Sequence, residues 1–179
     1  MTSPFVVFIY GPPACGKHTI GSILSEKTNL PLFHNHLAVD VSLSLFEFGS
    51  DEFISLREEI WLSVFTKAAN AGKSFIFTFN PENTVDADLI KKLEECYTSR
   101  NGQFFYVEVT CSEEELLNRL GNDTRKKFGK MTDTTLYKTV KDSGGFDFPE
   151  LPKQFQIDSE KFSASTAANK IFEQIKHLI

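Results

Sequence analysis

The sequence lacks any apolar run approaching the roughly 20 residues that span a bilayer. Its longest runs, Phe5–Tyr10 and Phe104–Val107, have the length of strands, so no membrane helix is expected. The opening Met1-Thr2-Ser3-Pro4 has no basic stretch leading into an apolar core, so a secretory signal is not expected either. Cysteine is scarce. Cys15, Cys96 and Cys111 make an odd set without metal-site spacing, which points to reduced thiols in a cytoplasmic protein and to no metal centre. Positive charge is not in excess: 19 basic residues face 24 acidic ones, for a net charge of -5. That balance argues against a nucleic-acid partner. There is no internal repeat and no low-complexity linker. What remains is a chain of 179 residues, 41% apolar and 24% charged, sufficient for one globular domain with a buried core.

Within that domain, Phe5–Tyr10, Phe75–Phe79 and Phe104–Val109 are continuously apolar rather than alternating. This is the pattern of parallel strands covered on both faces. Pro31–His34 and Gln154–Asp158 are weaker strand candidates. Helical periodicity lies between them. Lys17–Thr28 places Ile20, Ile23 and Leu24 on one face, Asp51–Ala71 carries a stripe from Phe53 to Ala68, and Ala87–Tyr97 presents Leu89, Ile90 and Leu93. Ser112 and Glu115 form the pattern of a capping box ahead of Leu116, Leu117 and Leu120. The final helix spaces Ala164, Ala167, Ala168, Ile171, Phe172 and Ile175 at helical intervals. Alternation of this kind predicts an α/β fold, a parallel sheet sandwiched between helices. Residues 121–151 break the alternation. They are polar, hold Gly129, Gly144, Gly145 and Pro149, and read as a lid excursion or as a plain surface loop. A basic cluster opens the excursion: Arg119, Arg125, Lys126, Lys127 and Lys130, with only Asp123 opposing them. It is either a local anion site or a solvated helix end.

One motif carries explicit chemistry. Gly11-Pro12-Pro13-Ala14-Cys15-Gly16-Lys17-His18-Thr19 follows the first strand and opens the first helix. Glycines at such a turn let successive N–H groups point inward at phosphate oxygens. The helix behind them aims its positive end at the same anion. Lys17 adds a mobile positive charge that can follow a transferring phosphoryl group. This is a Walker A loop, and it predicts nucleotide binding. Its departure is His18, which stands where a magnesium-binding hydroxyl usually follows the lysine; Thr19 brings the hydroxyl one residue later. Phe75–Phe79 runs into Asn80 rather than an aspartate, so Mg²⁺ is expected to be held largely through water.

In this loop and in its element order the chain resembles the adenylate kinase, shikimate kinase and chloramphenicol phosphotransferase group of P-loop kinases. The resemblance spans nearly the whole length. It implies a three-layer α/β/α sandwich with a five-stranded parallel sheet of order 2-3-1-4-5, ATP as cosubstrate, and a small-molecule hydroxyl as acceptor. It also suggests roles. Arg119, in Leu116-Leu117-Asn118-Arg119-Leu120, resembles the arginine that packs on adenine. Arg125 resembles a lid arginine closing on the phosphates, with Lys130 a weaker counterpart. Gln156-Ile157-Asp158-Ser159 resembles the late adenine loop. The stretch His34-Asn35-His36-Leu37-Ala38-Val39-Asp40 lies where the group binds its acceptor. There Asp40 is similar to the aspartate base of chloramphenicol phosphotransferase, the alternative being a solvent-facing helix acid. His34, Asn35 and His36 are candidates to bond the acceptor. Two histidines without a third ligand nearby do not make a metal site. Arg57 resembles the acceptor-binding arginine of shikimate kinases, or else pairs on the surface with Glu58 or Glu59. Asn80, with Thr78, stands at a strand end where ligands of such sheets bind. The Asp-x-Asp of shikimate kinase and the Asp-Gly-Phe-Pro-Arg turn of nucleoside monophosphate kinases are both missing. The expected activity is thus an ATP-dependent kinase acting as monomer or homodimer. A regulatory nucleotide-binding module is the alternative, and an RNA- or DNA-end kinase is disfavoured by charge.

Overall fold

The computed structural model describes residues 3–121 and 132–179. Strands β1 (Phe5–Tyr10), β2 (Leu32–His34), β3 (Phe75–Phe79), β4 (Gln103–Thr110) and β5 (Phe155–Asp158) form one sheet in the order β2-β3-β1-β4-β5. Every pairing is parallel. Phe8 of β1 stands level with Phe77 of β3 on one side and Tyr106 of β4 on the other. Order and strand count agree with the expectation.

Side chains alternate across a strand, so β1 serves two different interiors. Val6, Phe8 and Tyr10 face a cluster with Phe75, Phe77, Phe79, Phe104 and Tyr106. Helices α3 (Asp51–Asn70) and α4 (Ala87–Thr98) close this side with Trp61, Phe65, Leu89, Leu93 and Tyr97. Phe5, Val7 and Ile9 face the opposite layer, where α1 (Lys17–Thr28) supplies Ile20 and Leu24. There the last helix, α7 (Ala164–Ile175), supplies Ala167, Ala168, Ile171 and Ile175. One face of the sheet is therefore packed mainly with rings and the other mainly with aliphatic chains. Phe65 meets Phe75 and Phe77 edge-on at 5.0 and 5.1 Å between ring centroids, the arrangement that ring quadrupoles favour.

The remaining helices among the described residues are α2 (His36–Leu43), α5 (Glu113–Leu120) and α6 (Thr134–Asp142). Two of them depart from the sequence reading. Helix α2 begins within the stretch taken as an acceptor segment. Helix α6 lies within the expected lid excursion at 121–151, where Asp133 caps it by accepting from the N–H groups of Thr135 and Leu136. The capping box at α5 is also only half formed. Ser112 Oγ accepts from Glu115 N at 3.2 Å, but Ser112 N donates to Glu160 Oε2 at 3.1 Å rather than to Glu115. The Glu115 carboxylate is already taken by Arg119, at 2.7 Å.

Candidate active site

The loop between β1 and α1 curls because three of its residues take positive φ: Gly11 (149°), Ala14 (63°) and Gly16 (93°). Only glycine fits at position 11, since a Cβ there would sit 2.1 Å from the Val109 carbonyl oxygen of the neighbouring strand. Gly16 is the N-cap of α1 and offers no side chain there, which leaves the first N–H groups of the helix for an anion. Lys17 folds back over the loop, and its Nζ donates to the carbonyls of Gly11 (2.7 Å) and Pro12 (2.6 Å) and to Asn80 Oδ1 (3.5 Å). Its positive charge thus stands over the concavity of the loop.

A cavity of about 930 Å³ opens from this loop, large enough for a nucleotide and more. Along one end run Arg119, Ser159 and Phe162–Ala164. Arg119 is held on three sides. Its Nε donates to Glu115 Oε1 (2.7 Å), Nη1 to Ser159 Oγ (2.9 Å) and Nη2 to the Ser159 carbonyl (2.8 Å). Ser159 is itself anchored to the end of β4, its N and Oγ both donating to the Thr110 carbonyl. The two segments expected to flank a base are therefore brought together.

The cavity continues past the loop to Asn35, His36, Val39 and Leu43, then to Phe48, to the β3 end at Thr78–Asn80, and to Glu82, Asn83 and Thr84. Asn35 N donates to the Thr78 carbonyl (3.2 Å), which seats the start of α2 against the strand end. Leu136, Val140 and Phe146 close the far wall. The bond from Asn83 N to the Gly145 carbonyl (3.0 Å) ties that wall to the turn after β3.

Of the residues singled out from sequence, Pro13, Ala14 and Gly16 through Thr19 line the cavity, as do Arg119, Asn35, His36 and Asn80. Three do not. Asp40 is exposed on α2 and is not part of the lining, because Val39 and Leu43 take the inward stripe of that helix. His34 also stands outside the lining, its ring edge-on to His18 with 4.8 Å between centroids. Arg57 is fully buried behind the cavity wall, paired with Glu82 at 2.5 Å, rather than open to a ligand. Burial pulls its guanidinium below the ordinary value, while Glu82 and Glu58 push it back up. Arg125 and Lys130 lie outside the described residues. The turn Glu82-Asn83-Thr84 went unrecognised in the sequence, although its place just past a buried strand was a usable signal.

Cys15 lies buried beneath the loop, and burial raises the thiol of the nearby Cys111, so neither has the setting of a nucleophile. No cluster of three or more metal-ligating side chains occurs among the described residues, nor a helix long and apolar enough to cross a membrane.

Solved structures share this fold along the whole chain. A candidate kinase from Chloroflexus aurantiacus is 16% identical with a TM-score of 0.70, and the match covers 100% of both chains. A sugar kinase from Janibacter is 14% identical (TM-score 0.65; 97% of this chain and 95% of that one). The APS kinase of Mycobacterium tuberculosis, solved with AMPPNP and APS, is 12% identical (TM-score 0.63; 98% of each). The fold is that of the P-loop kinases. No protein-family model matches the sequence, and no curated protein does.

Proposed function

We propose that the protein is an ATP-dependent kinase that transfers the γ-phosphoryl group to a hydroxyl of a small molecule. The observation that carries this is the continuity of the cavity. One space runs from the Arg119–Ser159 end, past Lys17, to the pocket between α2 and the turn after β3. A nucleotide and an acceptor can thus lie end to end with the phosphate loop between them. Lys17 and the loop amides from Ala14 to Thr19 hold the phosphates, and Arg119 lies against the base. Phosphoryl transfer needs little covalent help from protein and depends mainly on positioning and charge. The kinases of the same fold support this reading, the APS kinase having been solved with an ATP analogue.

Mg²⁺ would arrive with the triphosphate. The oxygen donors beside the loop, Thr19 and Asn80, are both neutral and line the cavity, which suits an ion that keeps most of its waters. Its chemistry there is neutralisation of phosphate charge. The reading includes one catalytic domain, a cytoplasmic location consistent with three free cysteines, and a monomer or homodimer without nucleic-acid partners.

ATP titration followed by ADP release tests the reading. Lys17→Ala is expected to weaken ATP binding at least tenfold, about 1.4 kcal/mol; unchanged affinity sinks the assignment. The second reading, a regulatory nucleotide-binding module, is favoured by the neutral Asn80 at the strand end. Thermal stabilisation by ATP with no ADP formed, with or without alcohols, would support it.

A further inference from the structure

Arg57 is the largest charged side chain withdrawn from solvent among the described residues, at 0% exposure. Its guanidinium lies over the rings of Phe53 and Trp61, at 5.3 and 5.1 Å to the centroids. From there every polar contact runs to its helical neighbour Glu58 or to the turn after β3. Nη1 donates to Glu82 Oε1 (2.5 Å) and to Thr84 Oγ1 (3.2 Å), Nη2 donates to the Thr84 carbonyl (2.8 Å), and Glu58 stands 3.7 Å away. The Thr84 hydroxyl donates to the same Glu82 Oε1, at 3.0 Å. Both bonds to the carboxylate fall on one oxygen. Oε2 takes neither, and Glu82 belongs to the cavity wall with its side chain 14% exposed.

Two further observations meet at this wall. Asn35 Oδ1 is buried in the lining without a hydrogen-bond partner, a costly state for an acceptor unless a ligand donor satisfies it. Among the described lining residues only Glu82 and Glu115 are carboxylates, and Glu115 is bound to Arg119 at the other end. The acceptor side otherwise combines an apolar patch, Val39, Leu43, Phe48, Leu136 and Val140, with the uncharged polar side chains of Thr78, Asn80, Asn83 and Thr84 and with His36. Beyond Lys17 and Arg119 no lysine or arginine lines the cavity among the described residues.

We propose that Glu82 Oε2 takes the proton of the acceptor hydroxyl, with Arg57 as the residue that positions it, and that the acceptor is an uncharged alcohol with an apolar face. The inference rests on the kinase reading above. In the step, the hydroxyl oxygen forms a bond to the γ-phosphorus while the bond to the β–γ bridging oxygen breaks. The electron pair of that bond leaves with ADP. The hydroxyl proton passes to Glu82 Oε2 and from there to water. A carboxylate in this place contributes through proton transfer and through orientation of the nucleophile. Arg57, by holding Oε1, fixes the direction in which Oε2 points. A wall with this carboxylate, an apolar patch and no lysine or arginine among its described residues beyond Lys17 and Arg119 then selects against acceptors carrying a carboxylate or phosphate, whose charge would stand beside Glu82.

Water is the simplest hydroxyl acceptor, so ATP hydrolysis without added alcohol reports on Glu82 before the acceptor is known. Glu82→Gln is expected to lower kcat about a hundredfold while ATP affinity is retained; Asp40→Asn is expected to leave both unchanged. Glu82→Asp preserves the charge against Arg57, and so the fold, but withdraws the carboxylate by one methylene and should fall between the two. Arg57→Met should lower kcat of the folded enzyme with the KM for ATP unchanged, and Arg57→Lys should restore part of it; a purely structural arginine would leave kcat untouched. For the acceptor class, saturation-transfer NMR with AMPPNP present compares phenyl β-glucoside, phenyl β-glucuronide and methyl β-glucoside. Binding of the phenyl glucoside above both others is expected. Preference for the glucuronide, equal binding of the methyl glucoside, or binding of none overturns the class. ATP turnover equal in the wild type and both Glu82 variants overturns the base assignment alone. Failure of the wild-type chain to bind ATP overturns the kinase reading and this assignment together.

Discussion

Replacing Arg57 by methionine should destabilise the protein by about 3 kcal/mol, near the low end of the range for breaking a buried ion pair. Arg57 is fully buried and Glu82 nearly so, at 0% and 14% side-chain exposure with 2.5 Å between them. Methionine keeps the aliphatic packing against Phe53 and Trp61 but leaves Glu82 without its cation and Thr84 without two donors. Water reaching Glu82 from the cavity relieves part of the penalty, which is why the low end applies. For a chain of this size the loss corresponds to a melting temperature lower by roughly 6–12 °C. The double variant Arg57→Met with Glu82→Gln removes the stranded charge and should recover at least about 1 kcal/mol relative to additivity. Urea unfolding followed by far-ultraviolet circular dichroism measures this without using Trp61, which touches the altered site. A single-variant loss below about 1 kcal/mol, or strict additivity in the cycle, would refute the claim that the pair organises the turn.

Gly11→Ala should destabilise by at least about 2 kcal/mol through its positive φ, with the clash against the Val109 carbonyl adding to that; a thermal melt unchanged from wild type would contradict the strand-to-loop geometry. Ser112→Ala removes the cap of α5 and should cost about 1 kcal/mol by denaturant titration, with Arg119 less well held and ATP bound more weakly. Burial raises all four tyrosines, Tyr10 to about 12 and Tyr97, Tyr106 and Tyr137 above their ordinary value as well. Their folded pKa values exceed the unfolded one, so their contribution is complete below about pH 10 and is lost as pH rises above it, by about 1.4 kcal/mol per unit per phenol. Phenolate absorbance should stay low in the native protein through pH 10 and rise together with unfolding; a normal titration at pH 10 without unfolding would be the contrary result.

Five strands, the helices α1, α3, α4, α5 and α7, and the phosphate loop were legible because each rests on local chemistry. Phe5–Tyr10 and Phe75–Phe79 are apolar at every position, and α3 carries a long helical stripe behind a Ser50 cap. Helix α2 was not legible, because Leu37, Val41 and Leu43 are apolar yet exposed, which blurs the helical period. Helix α6 was hidden by polar residues and by the glycines behind it.

The sequence by itself determined the phosphate loop. Gly11, Gly16 and Lys17 act within a few residues of one another, through backbone φ and reach, so their spacing carries the geometry. The placement of carboxylates was decided only by tertiary structure. Asp40 and Glu82 each sit just past a strand in sequence, and nothing local separates them. Which one faces the cavity depends on the rotation of α2 against β3 and on Arg57, which arrives from α3, 25 residues before Glu82, to draw that side chain into the wall.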